Sequence, residues 1–129
     1  MGGYGALKLG LTHPDRFAAF ASLSGAVDVR SLVTREERGE IVERVFAGTF
    51  TASDDLYQLL AAADPAAVPP LYLACGTEED RLMEANTRLA EQAVAAGIDV
   101  TTDFRPGVHE WGLWDATIRD VIVWLPRAG

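Results

Sequence analysis

Two short stretches hold the residue types from which a hydrolytic site can be built. One is Cys75-Gly76-Thr77-Glu78-Glu79-Asp80, ending in three consecutive carboxylates. The other is Pro106-Gly107-Val108-His109-Glu110-Trp111, with Trp114 close behind. An imidazole can take the proton of a serine hydroxyl, and a buried carboxylate beside it orients the ring and stabilises the imidazolium. Asp80 and His109 are 29 residues apart, room for one helix and one strand between two loops. A lone histidine is usually structural; the acidic loop upstream is what favours chemistry at His109. Gly107 allows a sharp loop there, and Trp111 can wall the site from water. His13, directly before Pro14, reads as a surface turn residue. Cys75 reads as a packed core thiol, and no metal or cofactor is expected.

The elements that must carry these loops follow from the apolar pattern. Residues Gly3 to Leu11 are apolar nearly all round with Lys8 the single charge, which predicts a helix buried between layers and stopped by Pro14. Phe17 to Leu23 reads as a buried parallel strand closed by Ser24-Gly25, with Ser24 a strand-end residue near the pocket rather than a nucleophile. The stretch 29–67 carries the charge run Arg35-Glu36-Glu37-Arg38 and an amphipathic helix with Ile41, Val42, Val45 and Phe46, ended by Gly48. A second helix follows, through Leu56, Tyr57, Leu59 and Leu60, with Ser53 as its expected N-cap.

Pro69-Pro70 introduces the clearest strand, Leu71 to Cys75. A helix from Glu84 is patterned by Leu89, Ala90, Ala93 and Val94 and stopped by Gly97. Val100 to Arg105 is the third strand. A last helix places Trp114, Ile118, Val121, Ile122 and Leu125 on one stripe and ends at Pro126. Helix, strand, helical insertion, strand, helix, strand, helix predicts an α/β fold: an open parallel sheet with helices on both faces.

The totals bound the function classes. At 129 residues there is room for one domain. Its 49% apolar content with mixed charge is that of a globular chain, and no apolar run is long enough for a transmembrane helix. A net charge of −8 argues against nucleic acid and anionic membrane as partners. The single cysteine excludes an internal disulfide and fits a reducing compartment, so a cytoplasmic location is expected.

In order and spacing, the stretches His13-Pro14-Asp15-Arg16-Phe17, Cys75 to Asp80 and Pro106 to Trp111 with Trp114 resemble the C-terminal half of an esterase family of α/β-hydrolases. That family includes esterase D (S-formylglutathione hydrolase), tributyrin-type esterases and mycolyltransferases. The Gly-x-His-x-Trp-x-x-Trp run is most similar to the tributyrin-type esterases. The start, Met1-Gly2-Gly3-Tyr4-Gly5, resembles the far side of a nucleophile elbow, G-x-S-x-G. The resemblance implies a serine esterase of short-acyl esters whose nucleophile lies just before Met1. The Met1 backbone N–H would then be one oxyanion donor, and His109 the base. For the acid, counting back from Leu82 and Asn86 selects Asp80, whereas counting forward from Gly76-Thr77 selects Glu79. Asp80 is preferred, because the shorter side chain is commoner in this role, and Glu79 is the alternative. Residues 29–67 would form a cap-like helical insertion, with Phe46, Leu56, Tyr57 and Trp111 as candidate substrate contacts. An inactive binding or regulatory remnant and an acyltransferase of the same fold are the rival readings. Without the strand that leads into the serine, the Phe17–Leu23 edge is expected to drive self-association.

Overall fold

The computed structural model describes residues 1–34 and 39–127. The charge run Arg35 to Arg38, and the side chain of Ile41, lie outside the described residues. Three strands, β1 (Phe20–Leu23), β2 (Leu71–Gly76) and β3 (Val100–Arg105), form a parallel sheet in the order β1-β2-β3. Phe20 stands opposite Leu71, which in turn stands opposite Val100. Around the sheet lie α1 (Gly2–Thr12), α2 (Val29–Val33), α3 (Gly39–Phe46), α4 (Leu56–Ala62), α5 (Asp80–Ala95) and α6 (Trp111–Trp124).

Alternation along β2 divides the molecule into two layers of packing. Leu71 and Leu73 join Phe20 of β1 and the buried faces of α1, α4 and α5, among them Leu7, Leu11, Leu56, Leu60 and Leu89, in the main core. Tyr72 and Ala74, the alternate residues, pack on the opposite face against Val121 and Trp124 of α6. Every residue of β2 is buried, as a central parallel strand covered on both faces must be.

Several sequence expectations shift in detail. β1 begins at Phe20 rather than Phe17, because Pro14 to Arg16 form a single 3₁₀ turn and Phe17 ends it, 40% exposed. The N-cap of α4 is Asp55, not Ser53; its carboxylate accepts from the backbone N–H groups of Tyr57 and Gln58. In α3 Phe46 is buried but Val45 is exposed. On α6 the buried residues are Leu113, Thr117 and Val121, while Ile118, Ile122 and Leu125 are exposed. Helix α1 buries Tyr4, Leu7 and Leu11, but Leu9 lies open beside β1. Gly97 stops α5 with φ +82°, a left-handed conformation that glycine adopts at no steric cost.

Candidate active site

The carboxyl ends of the parallel strands meet in one place, and two close glycine–glycine contacts bring them there. A Cβ on Gly76, the last residue of β2, would lie 2.2 Å from the carbonyl oxygen of Gly107. The two loops therefore touch backbone to backbone, with Glu78 N–H donating to Gly107 O at 3.2 Å and Thr77 N–H to Arg105 O at 2.9 Å. Gly107 itself has φ +152°. At the end of β1, a Cβ on Gly3 would stand 2.6 Å from the Cα of Gly25, so the first turn of α1 presses on the residue after Ser24. Asn86 of α5 donates from Nδ2 to Gly25 O at 3.0 Å and fastens that turn to the helix that follows the acidic loop.

Glu79 stands at the N-cap position of α5, but its side chain does not cap the helix. It turns back into the junction, where it is 2% exposed. Its Oε2 accepts from Gly76 N–H at 2.7 Å and from the Ser24 hydroxyl at 2.6 Å, with the Cys75 thiol at 3.5 Å. Its Oε1 lies 2.6 Å from His109 Nδ1. Burial alone would raise the carboxyl's pKa; the hydrogen bonds from Ser24, Gly76, His109 and Cys75 outweigh it and hold the group below its ordinary value. The same burial and the adjacent carboxylate push the Cys75 thiol up to about 12, which keeps it protonated and inert.

An ionised Glu79 can only accept, so the proton in the Glu79–His109 bond belongs to Nδ1. In the neutral ring the remaining nitrogen, Nε2, carries the lone pair, and it has no hydrogen-bond partner among the described residues. Trp114 meets the imidazole edge to face, with ring centroids 4.7 Å apart at 84°, and Trp111 packs on Trp114 at 5.3 Å. The His109 side chain is 57% exposed. A buried acceptor thus holds a solvent-accessible imidazole from behind, which is the arrangement a general base requires.

Asp80, the residue the sequence favours for the acid, is not the carboxylate that reaches His109. It is the first residue of α5, exposed, and makes no hydrogen bond or ion pair among the described residues. A carboxylate there lies beside the positive end of the helix dipole, and that accounts for it. Phe46 and Leu56 sit in the main core, and Phe46 packs edge to face with Tyr4 and Phe50. Tyr57 donates its hydroxyl to Ala85 O at 2.8 Å and lies under the guanidinium of Arg88. Trp111 is 82% exposed. Met1 is the N-cap of α1. An open groove of about 400 Å³ runs past His109 and Glu79 along Arg81 and Leu82. A hollow of about 430 Å³ between α2 and α5 shares Arg81 and Leu82 with it.

Residues 1–125 match the model of the family described as "Putative esterase". The chain belongs to that esterase family. An acetyl esterase of Caldicellulosiruptor saccharolyticus is 29% identical over 139 residues, which cover 98% of this chain and 52% of the relative. Among solved structures, the fluorophosphonate-binding serine hydrolase F of Staphylococcus aureus superposes with a TM-score of 0.82 at 26% identity, over 96% of this chain and 50% of that one. The S-formylglutathione hydrolase of the same organism gives 0.78 at 26% identity, covering 97% and 51%. A ferulic acid esterase shares the fold, with a TM-score of 0.77 at 19% identity, over 97% of this chain and 47% of that one. The chain therefore spans about half the length of the relatives it matches. Its fold is that of the α/β serine hydrolases, and no described helix is long and apolar enough to cross a membrane.

Proposed function

We propose that this chain supplies the acid and base of a serine esterase, Glu79 and His109, acting on short-acyl esters. The observation that carries the reading is the 2.6 Å contact between buried Glu79 Oε1 and Nδ1 of an accessible His109. His109 Nε2 takes the proton of the attacking serine as its oxygen bonds to the acyl carbon. It then returns that proton to the departing alkoxide. Glu79 stays ionised and stabilises the imidazolium. The serine is the elbow residue that precedes Met1 in the whole protein, and Met1 N–H contributes to the oxyanion hole at the start of α1. Exposed Trp111, packed on Trp114, forms one wall for the ester. The name of the acetyl esterase relative supports a short acyl group.

The test is the chain extended upstream through an in-frame Gly-x-Ser and the sequence before it, assayed with p-nitrophenyl acetate. Turnover lost on replacing that serine, and lost again in His109→Ala, is the expected result. Full turnover in His109→Ala would overturn the reading.

A further inference from the structure

We infer that Ser24, gripped by Trp114, is the positioning residue of the acid, fixing which oxygen of Glu79 is presented to His109. This deepens the acid–base reading above and rests on it. The direction of each bond follows from the donors available. An indole N–H can only donate, so the 3.0 Å contact between Trp114 Nε1 and Ser24 Oγ makes the serine oxygen an acceptor there. The single hydroxyl hydrogen is then left for Glu79 Oε2, 2.6 Å away. Ser24 is 5% exposed, so bulk water does not compete for that hydrogen.

With Gly76 N–H on the same oxygen at 2.7 Å and the Cys75 thiol at 3.5 Å, Oε2 is occupied and Oε1 is the one turned to the imidazole. Hydrogen bonds from Ser24 and Gly76 also help to hold Glu79 ionised despite its burial. Trp114 acts twice, because its ring meets His109 edge to face while its N–H holds Ser24. Backbone geometry makes the serine harder to explain as filler. Ser24 has φ +48°, a left-handed conformation costly for residues with a Cβ and free for glycine. Strain of this kind persists where the surroundings fix it, and it concentrates at functional sites.

The 129-residue chain itself serves for the test, by following the Glu79 side-chain carboxyl through its acid titration with ¹³C NMR. Ser24→Ala keeps the strained backbone and removes the hydroxyl; Ser24→Gly removes both. Loss of one hydrogen bond to a charged group should make Glu79 about ten-fold weaker as an acid in both variants. Ser24→Gly should also be at least as heat-stable as Ser24→Ala. Trp114→Phe keeps the ring and removes the N–H, and a smaller weakening in the same direction is expected. Unchanged Glu79 acidity in both Ser24 variants would overturn the positioning role, and unchanged acidity in Trp114→Phe would overturn the grip. Neither result depends on turnover, so failure of the esterase reading, seen as an active His109→Ala extended protein, is distinguishable from failure here.

Discussion

Gly76 and Gly107 approach so closely that a single methyl group has no room between them: a Cβ on Gly76 would lie 2.2 Å from Gly107 O and 2.9 Å from Glu79 Oε2. The acid and base loops are therefore positioned by backbone contact, and the side chains only complete what the glycines begin. Gly76→Ala must push the two loops apart, since the obstructing atom is a carbonyl and cannot rotate away. It should cost about 1–3 kcal/mol, as over-packing typically does, and loosen the Glu79–His109 contact. Urea unfolding measures the first. For the second, the His109 imidazole signals should move in the ¹⁵N spectrum of Gly76→Ala; unchanged signals would mean that the loops do not depend on this contact.

In the upstream-extended protein, His109→Ala and Glu79→Gln should each lower kcat by orders of magnitude, because the base or its orienting charge is gone. Asp80→Asn should change kcat by no more than about three-fold, because an exposed first-turn carboxylate contributes only a fraction of a kcal/mol to its helix. A large loss in Asp80→Asn with a near-normal Glu79→Gln would return the acid to Asp80. The 129-residue chain alone should not hydrolyse p-nitrophenyl acetate above its His109→Ala control. Ser24, the one serine bonded to Glu79, already commits its hydrogen there. Turnover abolished by Ser24→Ala would instead make Ser24 the nucleophile.

Acid sensitivity follows from the same carboxylate. Glu79 is held below its ordinary value of 4.5 in the folded chain, as the hydrogen bonds from Ser24, Gly76, His109 and Cys75 overcome the opposing effect of burial. A depressed folded value contributes stability that is present above the unfolded pKa and lost as pH falls through the folded one. Asp28, Asp54 and Asp103 are lowered too and act with the same sign. Unfolding free energy should therefore fall as pH drops from about 5 toward 2.5, and fall less steeply in Glu79→Gln. Equal slopes for the two proteins across that window would show that Glu79 is not held ionised by folding.

The sheet was legible from the sequence because its signals are local and redundant. Pro69-Pro70, the apolar run Leu71 to Cys75 and Gly97 each punctuate one boundary, and β2 and β3 lie where those residues place them. His109 and the acidic loop were legible as a pair for a similar reason. Which of Asp80 and Glu79 reaches His109 was not, since adjacent residues differ in direction rather than in position. The turn after Gly76 makes Glu79 the last residue before the helix and Asp80 the first within it. Ser24 has chemistry that depends on Trp114, 90 residues away, and only the fold brings them together. The α6 stripe was legible only in part: Val121 is buried against the sheet as the pattern places it, but Leu113 and Thr117 take the other buried positions. The Thr117 hydroxyl is satisfied by donating to Leu113 O, so an apolar count passes over it.

Strand β1 supports the last prediction. Among the described residues it pairs with β2 on one side only, and its four residues, Phe20 to Leu23, carry no charge. The opposite edge strand, β3, carries Asp103 and Arg105, the kind of charges that discourage edge-to-edge pairing. Beside β1 lies a hollow of about 290 Å³ lined by Ala6, Leu9, Phe17, Ala19, Phe20 and Ala21, with Leu9 53% exposed. On the sheet's other face α6 leaves Ile118, Ile122 and Val123 uncovered. Free backbone groups flanked by apolar side chains on both sides recruit a further strand, and a second copy of this chain can offer one. A net charge of −8 opposes that association, and salt screens it. The 129-residue chain should therefore sediment as a concentration-dependent mixture whose larger species grow from about 0.05 to 0.5 M salt. Ala21→Lys on β1 should shift the mixture back to monomer. A monodisperse monomer at both salt concentrations, with slowly exchanging amides throughout Phe20 to Leu23, would mean that this edge is closed within the single chain.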